Sequence, residues 1–368
     1  MKSIILHLRK LDWVLIISAI FLVGIGLLSI YSSSIGRGDF FNFKKQIIFF
    51  GVSIFLMFFF SVFDWRAFRE NPYLILALYF FCLIGLAGLF FFAEEIRGAR
   101  GWYKVGPVSL DPIELTKIVL IILLAKYFSM RHIEMYRVRH ILLSGFYVLI
   151  PAILIFFQPN FGSAIILIAV WLGILIISGI KLRHFLILVF CFLLILILSW
   201  NTVLKDYQKE RILSFFGAVG GWRPIDLLGV SWSQNQAKIA IGSGGIFGQG
   251  IGKGSQTQYG FLPEPQTDFI FSAIAEETGL IGVGILLLLF IILIWRIMKI
   301  AISAQSNFPR LFASGLAILL VSQIFIHIGM NLGILPIIGI SLPLISYGGG
   351  NLITTFIGLG ILESIKTL

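Results

Sequence analysis

The chain has 368 residues, of which 58% are hydrophobic and 12% charged, and it carries a formal charge of +11. Soluble domains hold about 25% charged residues, so the composition excludes a soluble globular protein and indicates an integral membrane protein. The Lys and Arg lie scattered between apolar runs, where they set topology and meet anionic headgroups, so the positive balance gives no reason to expect nucleic acid.

Apolar runs recur along the whole length, each able to cross a hydrocarbon core of about 30 Å as helix. The expected fold is therefore all-α: a polytopic bundle of about ten transmembrane helices forming one integral membrane domain over residues 1–368. Lys2, Arg9 and Lys10 precede the first run, about 13–33, which is too long for a signal-peptide core and reads as an uncleaved span. Further spans are expected at about 46–63, 73–92, 113–128, 141–157, 164–180 and 185–204. A large extracytoplasmic loop, about 205–267, separates helices seven and eight, and the last three spans cover about 268–295, 311–331 and 353–362. Alternate connections carry about 15 Lys and Arg against about 6 on the short opposite loops, which places both termini in the cytoplasm. Cys82 and Cys191 both sit inside apolar runs and suggest neither a disulfide framework nor a metal site.

Polar residues inside or at the edge of such spans are where function is to be sought. Asp268 is expected in the first turn of the eighth span, directly after a glycine-rich stretch, on the extracytoplasmic side. A charged side chain facing hydrocarbon costs about 2.5–3.5 kcal/mol on insertion scales, so an acid at this boundary is either a functional group or an N-terminal helix cap. Glu114 and Lys117 share one face of the fourth span, either as a self-paired buried ion pair or as the lining of a cavity for a polyprenyl pyrophosphate headgroup. Arg100, Lys104, Lys209, Arg211 and Lys253 fall on the same outer face, where an anionic pyrophosphate would need them. Trp102, Trp222, Trp232 and Tyr259 read either as sugar-stacking residues or as an interfacial belt.

Glu276 and Glu277 are expected to face the bundle or a loop cation, with an ion pathway as the competing reading. His327 reads as a helix-bridging residue, and Gly348-Gly349-Gly350 either as a site of close ligand approach or as a tight re-entry turn. Gly252-Lys253-Gly254 lacks the spacing and the Ser/Thr of a phosphate-binding P-loop.

Five segments occur in order between the spans: QPNFGSA (158–164), YQKERI (207–212), AIGSGGIFGQGIGKGSQTQYGFLPEPQTDFIF (240–271), AEETGLIG (275–282) and GISLPLISYGGG (339–350). Together they resemble the shape, elongation, division and sporulation (SEDS) family across essentially the whole chain, with loop wording nearer to its elongation members than to its division members. The resemblance implies a peptidoglycan glycosyltransferase of the bacterial cytoplasmic membrane. Its substrate would be lipid II, polymerised on the outer leaflet beside a class B penicillin-binding protein that crosslinks the strands.

By the same resemblance the family's essential acid falls on Asp268, its buried acid and lysine on Glu114 and Lys117, and its loop tryptophan on Trp102. Gln256, Glu264 and Ser346, inside the matching segments, join Arg100, Lys209 and Arg211 as expected substrate-binding residues. The chain departs from the family pattern with Asn160 in place of Asp, Gln266 in place of His, and Gly101 where a basic residue often stands. The expected chemistry is one inverting displacement with Asp268 as general base, the leaving pyrophosphate being met by Lys117, Arg211 or a divalent cation, Mg or Mn. A flippase for a lipid-linked cell-wall precursor is the competing class, and a non-catalytic scaffold the third.

Overall fold

The computed structural model describes residues 7–93, 101–106, 108–130, 138–202, 209, 213 and 230–367. Arg100, Arg211 and Trp222 lie outside the described residues.

Asp12 caps the first helix, α1 (Trp13–Arg37), by accepting the Leu15 amide, and Gly38, at φ +67, ends it. After it come α2 (Phe41–Val62), the short α3 (Arg66–Glu70) and α4 (Pro72–Phe92), the last opened by the Asn71 side chain and Pro72 at its first position. A small antiparallel hairpin, β1 (Tyr103–Val105) with β2 (Val108–Leu110), leads into α5 (Pro112–Ser129), capped by Asp111. Three helices follow: α6 (Val138–Phe157), α7 (Phe161–Ile177) and α8 (Leu182–Thr202). The second half holds α9 (Val230–Gly244), the one-turn α10 (Ser255–Gln258), α11 (Ile270–Ser303), α12 (Asn307–Leu332) and α13 (Gly349–Thr367).

Ten of these helices coincide with the expected spans, and the chain is a polytopic helical membrane protein. Counted over the described residues, six are long and apolar enough to cross a membrane by length and composition alone. The others are shorter or carry charge; α5, for example, holds Glu114, Lys117 and Lys126. The helix α2 shows the inverted amphipathicity of a lipid-bathed element, burying Gln46, Ser53, Met57 and Ser61 while Phe55 is 68% and Val62 67% exposed. Small residues let such helices meet closely. A Cβ on Gly360 of α13 would lie 2.5 Å from the Met57 carbonyl of α2, so only glycine permits that contact.

The structure differs from the sequence reading in three places. The stretch expected to be loop contains α9, which packs on α11. The helix expected to start at Asp268 starts at Ile270. That helix is also broken at Gly279, whose φ of +64 and ψ of −164 leave the helical region.

Both chain ends lie at one end of the bundle. Arg296 Nε donates to both Asp12 oxygens at 3.0 Å and its Nη2 to Oδ2 at 2.5 Å, while Lys366 Nζ stands 3.4 Å from Oδ2. The Asp12 amide donates to Glu363 Oε2 at 2.9 Å, tying α1 to α13.

Candidate active site

At the opposite end, two loops are bonded back to back: residues 261–269 before α11 and residues 333–348 between α12 and α13. Ser346 Oγ donates to the Thr267 carbonyl at 2.9 Å and accepts the Leu342 amide at 2.9 Å. The Tyr347 amide donates to the Gln266 carbonyl at 2.8 Å. Glu264, in the left-handed region at φ +43, gathers the amides of Thr267 and Phe269 on its carbonyl, each at 3.2 Å. A non-glycine residue rarely takes this conformation, and it persists here because the surrounding bonds impose it.

Asp268 sits half-buried in this turn. Its Oδ2 lies 4.0 Å from where a Cβ on Gly339 would stand, and Gly339 itself has φ +70. The cap of α11 is Phe269, which makes no side-chain cap bond, so the expectation that Asp268 occupies the first turn is corrected.

Glu114 and Lys117 form an ion pair of 2.7 Å with Lys117 3% exposed, so the self-pairing alternative is realised. The pair is not isolated. Gly350 packs against it, a Cβ there lying 3.1 Å from Asp111 Cβ and 3.6 Å from Glu114 Cγ. Burial, and then the Glu114 charge, push the Asp111 carboxyl above the ordinary carboxylate range. Ser346, bonded to Thr267, and Gly350, packed on Glu114, are four residues apart in sequence, about 15 Å of chain at most. The SYGGG segment thus links the Asp268 turn to the Glu114–Lys117 pair.

Gln266 donates from Nε2 to Ser34 Oγ at 3.3 Å and accepts from Asn42 Nδ2 at 2.8 Å, so the departure from His stands as a tie to α1 and α2. Asn160 caps α7 by accepting the Ser163 amide at 3.2 Å. Trp102 is half-buried just before β1, and Lys209 is half-buried. Gln256 lies in α10, its amide donating to Glu276 Oε1 at 2.6 Å. Residues that periodicity could not single out also serve the turn: Gln46 donates to the Ser346 carbonyl at 3.4 Å and accepts the Gly348 amide at 3.2 Å. The signal for Gln46 was an amide side chain within an otherwise apolar span.

Both glutamates of α11 are buried, and among the described residues neither pairs with a cation. Glu276 accepts the amides of Gln256 and Thr257 and the Thr257 hydroxyl, at 2.6, 3.1 and 2.7 Å, filling the N-terminus of α10. Glu277 accepts from the Ser32 hydroxyl and, at 3.3 Å, from the Gly252 amide. Because α11 breaks at Gly279, the glycine-rich loop can pair with its backbone: Gln249 N–H to Glu276 O at 2.9 Å, Gly250 N–H to Glu277 O at 3.0 Å and Leu280 N–H to Gly245 O at 2.9 Å. Side chains are excluded there, since a Cβ on Gly248 would lie 2.2 Å from the Glu277 carbonyl. These carboxylates anchor the loop. Among the described residues no three His, Cys, Asp or Glu side chains group so as to hold a metal ion.

Comparison with known proteins follows the same outline. The chain is 38% identical over 293 residues to the peptidoglycan glycosyltransferase MrdB of Escherichia coli (strain K12), covering 79% of this chain and 77% of that protein. Its fold matches a chain of the structure described as "Structural coordination of polymerization and crosslinking by a peptidoglycan synthase complex", with a TM-score of 0.81, 30% identity and 97% of each chain covered. It also matches the rod shape determining protein RodA of Thermus thermophilus, with a TM-score of 0.72, 29% identity and coverage of 97% and 96%. The family FTSW_RODA_SPOVE, described as Cell cycle protein, matches residues 12–368. With that span matched, the chain belongs to the FTSW_RODA_SPOVE family, the SEDS proteins that its loop motifs resemble.

Proposed function

We propose that Asp268 is the general base in the peptidoglycan glycosyltransferase reaction of this chain. Lipid II would serve as donor and acceptor at the extracytoplasmic face. The acceptor 4-hydroxyl gives its proton to the Asp268 carboxylate as its oxygen bonds to the donor's anomeric carbon. The bond from that carbon to the pyrophosphate breaks, and the lipid-linked pyrophosphate leaves with the electron pair. One displacement inverts the anomeric centre, as conversion of an α-linked donor to a β-linked glycan requires.

The observation that carries this reading is the placement of one half-buried carboxylate in a turn whose backbone is fixed by Ser346 and Glu264. A general base must be held within hydrogen-bond reach of the proton it takes, and a turn bonded on both sides meets that need. The departing negative charge calls for cations rather than an acid. Lys117 would supply one by turning from Glu114 toward the pyrophosphate, with Arg100, Lys209 and Arg211 along the outer face; Trp102 and Gln256 would line the saccharide path. Mg2+ or Mn2+ would fit the same role, since Mg2+ is commonly held by one or two carboxylates together with substrate phosphates.

Both termini are assigned to the cytoplasm. Supporting this, Asp12 and Lys366 lie together at the end of the bundle opposite Asp268, and the connections on that side carry most of the Lys and Arg. The partner would be a class B penicillin-binding protein, a reading supported by the likeness to a chain of a peptidoglycan synthase complex. The deciding experiment is polymerisation of purified lipid II by the parental protein and by Asp268→Asn. Loss of glycan product in the folded variant is expected, and product at the parental rate refutes the assignment.

A further inference from the structure

A helix that started at Asp268 would join the Ser272 amide to the Asp268 carbonyl, the ordinary i to i−4 bond. In the structure a side chain from another helix occupies both groups. Asn331, in the last turn of α12 and fully buried, accepts the Ser272 amide on Oδ1 at 3.3 Å and the Ser272 hydroxyl at 2.6 Å. Its Nδ2 donates to the Asp268 carbonyl at 3.0 Å and to the His327 carbonyl at 2.8 Å.

The amide orientation is settled by chemistry. Two carbonyls lie on one side and a backbone N–H on the other, so only Oδ1 toward Ser272 and Nδ2 toward the carbonyls satisfies all of them. The Asn331 amide is therefore spliced into the helix terminus. It delays the start of α11 to Ile270 and holds Asp268 in the preceding turn, where its carboxylate lies beside Gly339.

A second contact keeps the opposite wall in place. His327, one turn before Asn331, contacts the Ile340 carbonyl through Nδ1 at 2.7 Å, fixing the loop that carries Gly339. The end of α12 thus sets the positions of the acid and of the Gly339 loop beside it.

We propose that Asn331 is a positioning residue for the glycosyl transfer, holding Asp268 out of the helix and aimed at the acceptor hydroxyl. This rests on Asp268 as the general base. Without the amide splice, α11 gains its missing first bond and winds back through Asp268, rotating the carboxylate away. A displacement of about 1 Å in such a group costs about 10²-fold in rate.

The test measures kcat and KM for lipid II polymerisation, per folded molecule in detergent, for Asn331→Ala, Asn331→Asp, Ser272→Ala and Asp268→Asn. Asn331→Asp is nearly isosteric and keeps the acceptor for Ser272, but loses the donor to Asp268. Both Asn331 variants are expected to lose kcat about 10²-fold with KM changed less than about twofold. Ser272→Ala, which keeps the backbone N–H, is expected to stay within a few fold of the parent. Parental kcat per folded molecule in either Asn331 variant overturns the proposal, as does failure of both to fold, which would mark Asn331 as purely structural. The base assignment fails separately: parental activity in Asp268→Asn refutes it whatever the Asn331 variants do.

Discussion

The two ends of the bundle each centre on an aspartate, and they hold it in opposite ways. At the end that holds α1's start the Asp12 carboxylate is saturated by Arg296, Lys366 and the Leu15 amide. At the opposite end the Asp268 turn is held through backbone carbonyls by the side chains of Asn331 and Ser346. Bonds made to a carboxylate itself join helices, whereas bonds made to the backbone beside it set where the carboxylate stands. Burial and charge alone do not separate these roles, since the direction of the supporting bonds does.

The sharpest way to break this contrast is to neutralise each acid. Asp268→Asn is expected to lower polymerisation about 10²–10⁴-fold while the protein still inserts and unfolds at the parental temperature, read by lipid II assay and thermal melt. Asp12→Asn is expected to do the reverse, keeping activity per folded molecule while losing up to about 3 kcal/mol by stranding Arg296 beside a neutral partner. If Asp12→Asn abolishes catalysis without lowering the melting temperature, the assignment of the Asp12 end as purely structural is wrong.

A smaller effect is expected where the glycine-rich loop is anchored. Glu276→Gln keeps the size of the side chain but removes the charge that three short bonds from α10 converge upon, a loss of about 1.5–3 kcal/mol locally. Limited proteolysis of the 245–258 loop reads it, and an unchanged cleavage rate would show that the loop is held without Glu276. Gly279→Ala should act in the same direction, because a Cβ there would lie 2.5 Å from the Ile246 carbonyl.

The pH dependence sharpens the contrast at the Asp12 end. Burial pushes the Asp12 carboxyl up, but hydrogen bonds from Arg296 and Leu15 and the charges of Lys366 and Arg296 outweigh it, leaving the group below its ordinary value. A depressed folded value means the stability it contributes is fully present above the unfolded value of about 3.9 and is lost as pH falls through the folded one. Melting temperature is thus expected to decline below about pH 4, and Asp12→Asn should flatten that acid limb. The mildest test is chelation: if a divalent cation assists the pyrophosphate, EDTA lowers the polymerisation rate and added Mg2+ restores it, whereas an unchanged rate leaves the task to Lys and Arg.

Membrane class and the number and placement of spans were legible in the chain, and the proposal of Asp268 starts from it. They depend on runs of apolar residues, on charge counts and on an acid standing at a boundary, which are local properties. The family motifs added the reaction class, because they stand in fixed order between those spans.

Tertiary structure alone decided where α11 begins, that it breaks at Gly279, that Glu276 and Glu277 receive the glycine loop's amides, and that Asn331 sits between Ser272 and Asp268. Apolar patterning predicts a helix wherever a run allows one. It cannot register that an amide 59 or 63 residues away supplies the hydrogen bonds the first turn would otherwise make. In the low-dielectric interior each backbone N–H and C=O must find a partner, and which one it finds is settled only when the helices pack.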